Sequence, residues 1–154
     1  MLSNLTLRLA TPADAFAIAA LSRAQIEHGL PWTWREPRVR RAIADPDTNA
    51  VVLGPPAAVA AFGLMYHADD DAHLLLLAVH HAQRRQGAGT AVLQWLEASA
   101  RAAGARRIRV EARLDAVAAR SFYSEHGYRE GDIVRAMYSG RLDGVRLDKW
   151  LRQE

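Results

Sequence analysis

The residues best suited to chemistry lie in one short, basic turn, residues 83–89, which read QRRQGAG. An unbroken apolar run, residues 74–79, precedes the turn and predicts a strand buried on both faces. An amphipathic segment with apolar residues at helical spacing follows it and ends at Gly104. A strand, a glycine turn and a helix start would direct unpaired backbone N–H groups at one point, which favours a phosphate. Because a side chain at Gly87 or Gly89 would hold a phosphate away from those amides, the turn predicts a phosphate cradle.

The generic phosphate-binding motifs fit this turn poorly. No Lys-Ser or Lys-Thr pair follows the glycines, which argues against a nucleoside-triphosphate P-loop. Val92 stands where a dinucleotide-binding fingerprint would need its third glycine. A plain strand-to-helix turn, with no ligand, is the structural alternative.

The turn resembles the coenzyme-binding motif of the GNAT N-acetyltransferase superfamily, V-x-x-x-x-[RQ]-x-x-G-x-[GA]. The matching residues are Val79, Arg84, Gln86, Gly87 and Gly89. His81 stands where proline is usual and Arg85 where glycine is usual, and neither change removes a backbone donor.

This resemblance implies that backbone amides of the turn bind the pyrophosphate of acetyl-coenzyme A (acetyl-CoA), the co-substrate. It also implies that an amide near a bulge of the central strand, from Ala78, Val79 or His80, stabilises the reaction's oxyanion. The coenzyme-binding residues predicted in this way are Ala78, Val79, Arg84, Arg85, Gln86, Gly87, Ala88, Gly89 and Thr90.

A second motif of the same superfamily, N-x-x-A-x-x-[FL]-Y-x-x-x-G-[FY], is similar to residues 116–128. The resemblance makes Tyr123 the catalytic acid that protonates the departing thiolate, a reaction for which a placed phenol is chemically suited. The alternative is that Tyr123 only packs beside Phe122 in a helix. Ala116 occupies the position of the usual asparagine, so one polar contact with the coenzyme is missing.

An acceptor amine must lose a proton to attack a thioester, and its base is open on sequence grounds. Glu111, His73 and Glu27 are candidates, as is a chain of waters to a backbone carbonyl; among the side chains, Glu111 is the predicted catalytic residue. The segment between the first two predicted helices shapes the acceptor pocket in GNAT proteins. There, Glu27, Trp32 and Trp34 are predicted to contact the acceptor, although the tryptophans could equally seal the edge of the core.

Composition narrows the class of protein. The 154 residues predict a single domain, 1–154, and the absence of cysteine excludes disulfides and thiolate catalysis. No apolar run is long enough to cross a bilayer and no secretory signal is visible, so we expect a cytoplasmic protein. Adjacent His80 and His81 would point to opposite faces of an extended chain, and no paired histidines at helical spacing predict a metal site.

Positive charge is concentrated around the glycine turn. Residues 83–120 hold eight arginines against three acidic residues, a local net charge of +5. A polyphosphate ligand explains this excess, whereas the overall charge of +3 and the lack of a recognition motif argue against nucleic acid.

The elements expected along the chain give a mixed α/β fold. The resemblance implies a GNAT-like single domain, with a twisted mixed sheet splayed at a central parallel strand pair and flanked by about four helices. Asp115 is the expected N-cap of the last helix, and residues 128–154 are expected to form two antiparallel strands.

The function that follows is transfer of an acetyl group from acetyl-CoA to a primary amine by direct attack in a ternary complex. The acceptor would be a small molecule or a peptide. The alternative from another class is a non-catalytic CoA or nucleotide sensor that uses the same cradle. The acceptor's identity and the oligomeric state, with a homodimer as one option, are open on sequence grounds.

Overall fold

The computed structural model describes residues 5–151. This part of the chain contains seven strands and four α-helices, together with three short 3-10 turns at 12–14, 56–58 and 81–83. In chain order the elements are β1 (Leu7–Leu9), α1 (Ala15–Gln25), α2 (Glu36–Ala44), β2 (Thr48–Leu53), β3 (Ala61–Ala68), β4 (Asp71–Val79), α3 (Ala88–Ala102), β5 (Arg107–Arg113), α4 (Val117–Glu125), β6 (Arg129–Tyr138) and β7 (Leu142–Trp150).

All seven strands form one sheet in the order β1-β2-β3-β4-β5-β7-β6. Neighbouring strands are antiparallel except β4 and β5, which are parallel because the chain crosses between them through α3. The mixed α/β class and the central parallel pair predicted from the sequence are therefore confirmed.

The parallel pair is joined at one end only. Pairing runs from Asp71 with Arg107 to Leu74 with Val110, and beyond that point β4 and β5 separate. A bulge at Leu75 marks the separation, because β3 residues Met65 and Leu64 pair with Leu74 and Leu76 and leave Leu75 without a partner. The sequence prediction that residues 74–79 are buried on both faces is wrong at Leu75, which lies at the bulge, faces an open cavity and is 40% exposed.

Two hydrophobic cores hold the layers on the two faces of the sheet. Helices α1 and α2 cover one face through Ile18, Leu21 and Val39, which pack with strand residues such as Phe62. Helix α3 covers the other face through Val92, Leu93 and Leu96, and Tyr123 and Tyr128 complete that core. The helices thus cover both faces of the sheet that contains the gap between β4 and β5.

Two local expectations are wrong, and a third is confirmed. Asp115 does not cap α4, because its carboxylate is bound by the Arg113 guanidinium at 3.1 Å and Ala116 precedes the helix instead. His80 and His81 do not point to opposite faces: the chain leaves the extended conformation after Val79, and their rings stack 4.4 Å apart. The predicted final strands are present as β6 and β7, while residues 152–154 lie outside the described residues.

Candidate active site

The N-terminus of α3 presents free backbone donors at the turn. The first helical hydrogen bond is donated by the Ala91 N–H to the Gly87 carbonyl at 2.9 Å. The N–H groups of Ala88, Gly89 and Thr90 therefore stand outside the helical ladder, at the positive end of the helix dipole. This is the geometry that a phosphate requires, as the turn's sequence predicts.

The turn depends on two residues in the left-handed conformation, Gly87 at φ 82° and Arg85 at φ 62°. Glycine adopts this conformation freely, whereas arginine is strained in it. Arg85 replaces the glycine that is usual in the motif, so this departure costs conformational energy although it retains the N–H donor.

Gly89 has a different structural reason to be glycine. It is buried, and a Cβ atom there would lie 3.2 Å from the Phe122 ring and 3.4 Å from Val79. The residue therefore lets α3 approach α4 and β4 closely.

The side chains of the turn are mostly exposed, and one of them reaches another element. The Arg84 guanidinium donates a hydrogen bond to the Gln25 side-chain oxygen at the end of α1. Thr90 shares a 2.9 Å hydrogen bond with His126 Nε2, while His126 Nδ1 lies 2.7 Å from the Phe122 carbonyl oxygen. Because the Phe122 carbonyl oxygen can only accept a hydrogen bond, Nδ1 of the neutral imidazole carries the proton and Nε2 accepts from the Thr90 hydroxyl.

Strand β4 has further backbone N–H groups without a strand partner beyond the point where its pairing with β5 ends. The His80 N–H donates to the Ala60 carbonyl at 2.8 Å, on the β3 side. Because donors along a strand alternate between its two edges, the Ala78 N–H also faces β3 and the N–H groups of Leu77 and Val79 face the gap. Of the three amides predicted for the oxyanion, Val79 is thus available and His80 is bonded elsewhere; Leu77 is an additional donor that sequence reasoning missed.

Tyr123 lies on α4 beside this gap and is 6% exposed. Its ring contacts the rings of Phe122 and Tyr128 edge-on, at centroid distances of 5.4 and 5.5 Å. Burial, with a smaller contribution from the neighbouring Tyr138, raises the pKa of the Tyr123 phenol well above its usual value. A phenol is protonated at neutral pH even at its usual pKa of about 10, and burial keeps Tyr123 in this form, which a proton donor must have.

Tyr138, at the end of β6, is a second phenol at the gap. Burial and the nearby Glu111 carboxylate raise the pKa of Tyr138 to about 12. Sequence reasoning did not select Tyr138, because only the pairing of β6 with β7 brings it to this position.

Glu111 lies on β5 just beyond the last residue paired with β4, and it pairs with Arg146 of β7 on the other edge of the strand. Its carboxylate oxygen accepts a hydrogen bond from Arg146 Nε at 3.4 Å, and its side chain is 54% exposed. An exposed carboxylate with one weak contact is free to accept a proton from a bound amine.

A cavity of about 520 Å³ extends from the gap toward the loop between α1 and α2. Its walls include Glu111, Tyr138 and residues of the bulged part of β4. Trp34 and Glu27 line the same cavity from the loop, but Trp32 does not. The residues predicted for acceptor binding are therefore brought to one place except Trp32, whose ring lies 4.8 Å from each of the Arg23 and Arg35 guanidinium carbons.

The Glu27 carboxylate accepts hydrogen bonds from its own loop, the one between α1 and α2. One carboxylate oxygen accepts hydrogen bonds from the Thr33 N–H at 3.0 Å and the Thr33 hydroxyl at 2.5 Å, and the other accepts from the Trp34 N–H at 2.9 Å. The carboxylate thus has three partners in its own loop. This structural role accounts for its burial, with 8% of the residue exposed.

Arg113, on β5, anchors this loop to the sheet and was missed by sequence reasoning. One of its terminal nitrogens donates to the carbonyls of Ile26 and His28 at 3.1 and 2.7 Å, and the residue is 8% exposed. The alternating charged residues of β5 predict a half-buried strand, but they do not predict which of its arginines is buried against the loop.

The comparisons with known proteins agree with this geometry. Residues 16–128 match the model of the acetyltransferase (GNAT) family. The chain belongs to the GNAT acetyltransferase family. The fold and the acyltransferase class predicted from the sequence are thereby confirmed, and no curated protein matches the sequence.

Solved GNAT structures resemble the chain over almost its whole length. The ribosomal-protein-S18-alanine N-acetyltransferase of Escherichia coli has a TM-score of 0.79 at 24% identity, over 97% of this chain and 96% of that one. Ard1 from Thermoplasma volcanium has a TM-score of 0.84 at 19% identity, over 97% and 99%. A putative acetyltransferase of Salmonella typhimurium, yncA, was solved with its cofactor acetyl-CoA and has a TM-score of 0.77 at 18% identity, over 97% and 95%. Acetyl-CoA as the co-substrate fits this family.

Within residues 5–151, every helix is too short or too polar to span a membrane. The same residues hold no cluster of three histidine, aspartate or glutamate side chains placed to bind a metal ion.

Proposed function

We propose that this GNAT protein transfers the acetyl group of acetyl-CoA to a primary amine by direct attack in a ternary complex. The observation that carries the proposal is the gap between β4 and β5, which has free amides on one side and a cavity on the other. The amides of α3 and of Leu77 and Val79 would bind the coenzyme, and the cavity beside Glu111 would receive the amine.

In this mechanism the acceptor enters from the cavity and gives its proton to the Glu111 carboxylate. The amine nitrogen then forms a bond to the thioester carbonyl carbon, and the carbonyl π electrons move to oxygen. The N–H of Leu77 or Val79 would donate to that oxyanion. The oxyanion electrons then re-form the carbonyl, the C–S bond breaks with its electron pair leaving on sulfur, and the Tyr123 hydroxyl protonates the thiolate to a thiol. The attacking nitrogen loses its second proton as the amide forms, and this proton returns through solvent to the Tyr123 phenolate.

Tyr138 is the competing proton donor in this scheme. It lines the cavity, and burial keeps its phenol protonated as well. The placement of Tyr123 beside α3, on the coenzyme side of the gap, favours Tyr123 for the thiolate.

Calorimetric titration with acetyl-CoA tests the binding part of the proposal, with acetyl-pantetheine as the control ligand. Acetyl-pantetheine carries the same thioester but lacks the pyrophosphate, so a cradle for pyrophosphate predicts much weaker binding. Equal affinities would place the coenzyme's phosphates elsewhere. This control avoids a bulky substitution at Gly89, which would disturb the packing of Phe122.

Release of free CoA thiol in the presence of an amine panel tests the chemical part. Tight binding of acetyl-CoA without turnover of any amine would instead support the non-catalytic sensor. A cytoplasmic location, a single domain over 1–154, a homodimer and the absence of nucleic-acid binding remain predictions from the sequence.

A further inference from the structure

Three arginines line the cavity that faces the gap: Arg38 of α2, Arg109 of β5 and Arg146 of β7. They come from three separate elements, and each is partly or fully exposed to solvent. Apolar side chains such as Leu30, Leu75 and Met137 provide much of the remaining wall. The cavity therefore combines an apolar interior with cationic groups at several points.

Most hydrogen-bond donors of these arginines are unused within residues 5–151. Arg109 lies 3.6 Å from Asp71, whose carboxylate is already bound by Arg107 at 2.8 and 3.3 Å. Arg146 donates only its Nε–H, to Glu111 at 3.4 Å, and Arg38 stacks over the Trp34 ring at 3.8 Å. A guanidinium has five N–H donors, so each of the three can still bind an oxyanion.

The carboxylates of the cavity do not balance this charge. Glu27 has its hydrogen bonds within the loop, so Glu111 is the carboxylate left to meet a ligand. One cavity carboxylate that can take up a proton thus stands among three guanidinium groups. This pattern fits a ligand whose amine lies against Glu111 and whose negatively charged group lies against the surrounding arginines.

We propose that the acceptor is an amino carboxylate: an amine with a carboxylate on the same or the next carbon. This inference rests on the proposed acetyl transfer. Arg109 lies two residues before Glu111 on the same face of β5, about 7 Å away along the strand. Arg146 lies directly opposite Glu111 on β7. A carboxylate next to the reacting amine can therefore reach Arg109 or Arg146 while the amine faces Glu111, and Arg38 adds attraction near Trp34.

The test compares the standard amino acids with their C-terminal amides as acceptors, using kcat/KM from CoA thiol release. We expect the best free amino acid to exceed its amide by about a hundredfold, the effect of losing one charge-assisted bidentate contact. Arg109→Gln and Arg146→Gln should each reduce this preference at least about tenfold. Arg41→Gln removes the same charge from an exposed position of α2 outside the cavity and should leave the preference unchanged.

The outcomes separate this inference from the proposed function. If amides or simple amines are acetylated as well as amino acids, acetyl transfer stands and the amino carboxylate is wrong. Selective use of phosphoethanolamine would likewise overturn the carboxylate in favour of a phosphate. If acetyl-CoA binds and no amine reacts, the enzyme proposal fails and no acceptor exists; calorimetric titration of N-acetylated amino acids then tests what remains of the inference, binding of an amino-acid carboxylate in the cavity. Binding that Arg109→Gln or Arg146→Gln abolishes supports it, and absence of binding overturns it.

Discussion

At the scale of single residues, two phenols approach the gap between β4 and β5 from the two faces of the sheet. Tyr123 belongs to the core beneath α3, whereas Tyr138 lines the cavity on the side of α1 and α2. Burial raises the pKa of both, so both are proton donors rather than bases at neutral pH. What separates them is position, since in the proposed mechanism the thiolate would leave toward the coenzyme and the amine would enter from the cavity.

Replacing Tyr123 by phenylalanine removes the proposed donor without removing the ring that packs in the core. We expect kcat to fall about a hundredfold, the usual contribution of a general acid, while acetyl-CoA affinity is retained. Steady-state kinetics and calorimetry on the same preparation measure the two quantities. Tyr66→Phe, on β3 outside the cavity, is the matched control, and a larger loss in Tyr138→Phe than in Tyr123→Phe would transfer the role to Tyr138.

At the scale of elements, the loop between α1 and α2 is held in place by two buried charged groups. The Glu27 carboxylate accepts hydrogen bonds from backbone N–H groups of the same loop. The Arg113 guanidinium, on β5, donates hydrogen bonds to two backbone carbonyls of the loop. The loop carries Trp34 into the cavity wall, so we expect its position to affect the proposed acceptor site and not the proposed coenzyme site.

Arg113→Met retains the apolar stem and removes the donors to the loop carbonyls. We expect the free energy of unfolding to fall by about 3 kcal/mol, because two hydrogen bonds from a charged donor are lost. We also expect the acceptor KM to rise about tenfold or more, with acetyl-CoA affinity unchanged. Arg129→Met makes the same substitution at an exposed position of β6, away from the loop, and is the control. An unchanged acceptor KM in Arg113→Met would show that the loop does not depend on this anchor.

The turn before α3 makes a second prediction at this scale, because it contains two left-handed residues of different type. Gly87→Ala should cost about 1 kcal/mol of stability, since alanine has a Cβ that clashes in this conformation. Arg85→Gly should be nearly neutral, because relief of the same strain is offset by about 0.5–1 kcal/mol of lost chain entropy. Urea unfolding measures both, and equal effects of the two substitutions would contradict this conformational account.

The elements around the gap were predictable because they depend on local pattern. An apolar run, a glycine turn and an amphipathic segment fix a strand, a helix start and a crossover within thirty residues of chain. Other features depend on the register between strands that are paired in space, which local pattern does not reveal. These are the bulge at Leu75, the free Leu77 N–H and the position of Tyr138 at the gap. Arg113 and Glu27 are charged residues whose burial depends on a tertiary contact, so hydrophobic periodicity gave no sign of either role.

At the scale of the whole molecule, two aspartate–arginine pairs brace the sheet on either side of the site. Asp14, fully buried before α1, accepts hydrogen bonds from both terminal nitrogens of Arg8 at 2.8 Å and from the Thr11 N–H at 2.8 Å. Asp71 accepts from Arg107 where β4 and β5 are still paired. Hydrogen bonds from the arginine hold the pKa of each carboxyl below its usual range.

These pairs predict how stability depends on pH. A carboxyl group whose pKa is lower in the folded than in the unfolded chain stabilises the fold above its unfolded value, about 4 for aspartate. The contribution disappears as the pH falls through the folded value, so the Tm should drop on acidification below about pH 4. Asp14→Asn should lower the free energy of unfolding by about 2 kcal/mol at neutral pH and make the acid dependence less steep. Asp132→Asn, which removes an exposed carboxylate of β6, is the control. Calorimetric Tm values that fall equally steeply in wild type and Asp14→Asn would mean that other carboxylates set the acid limit of this fold.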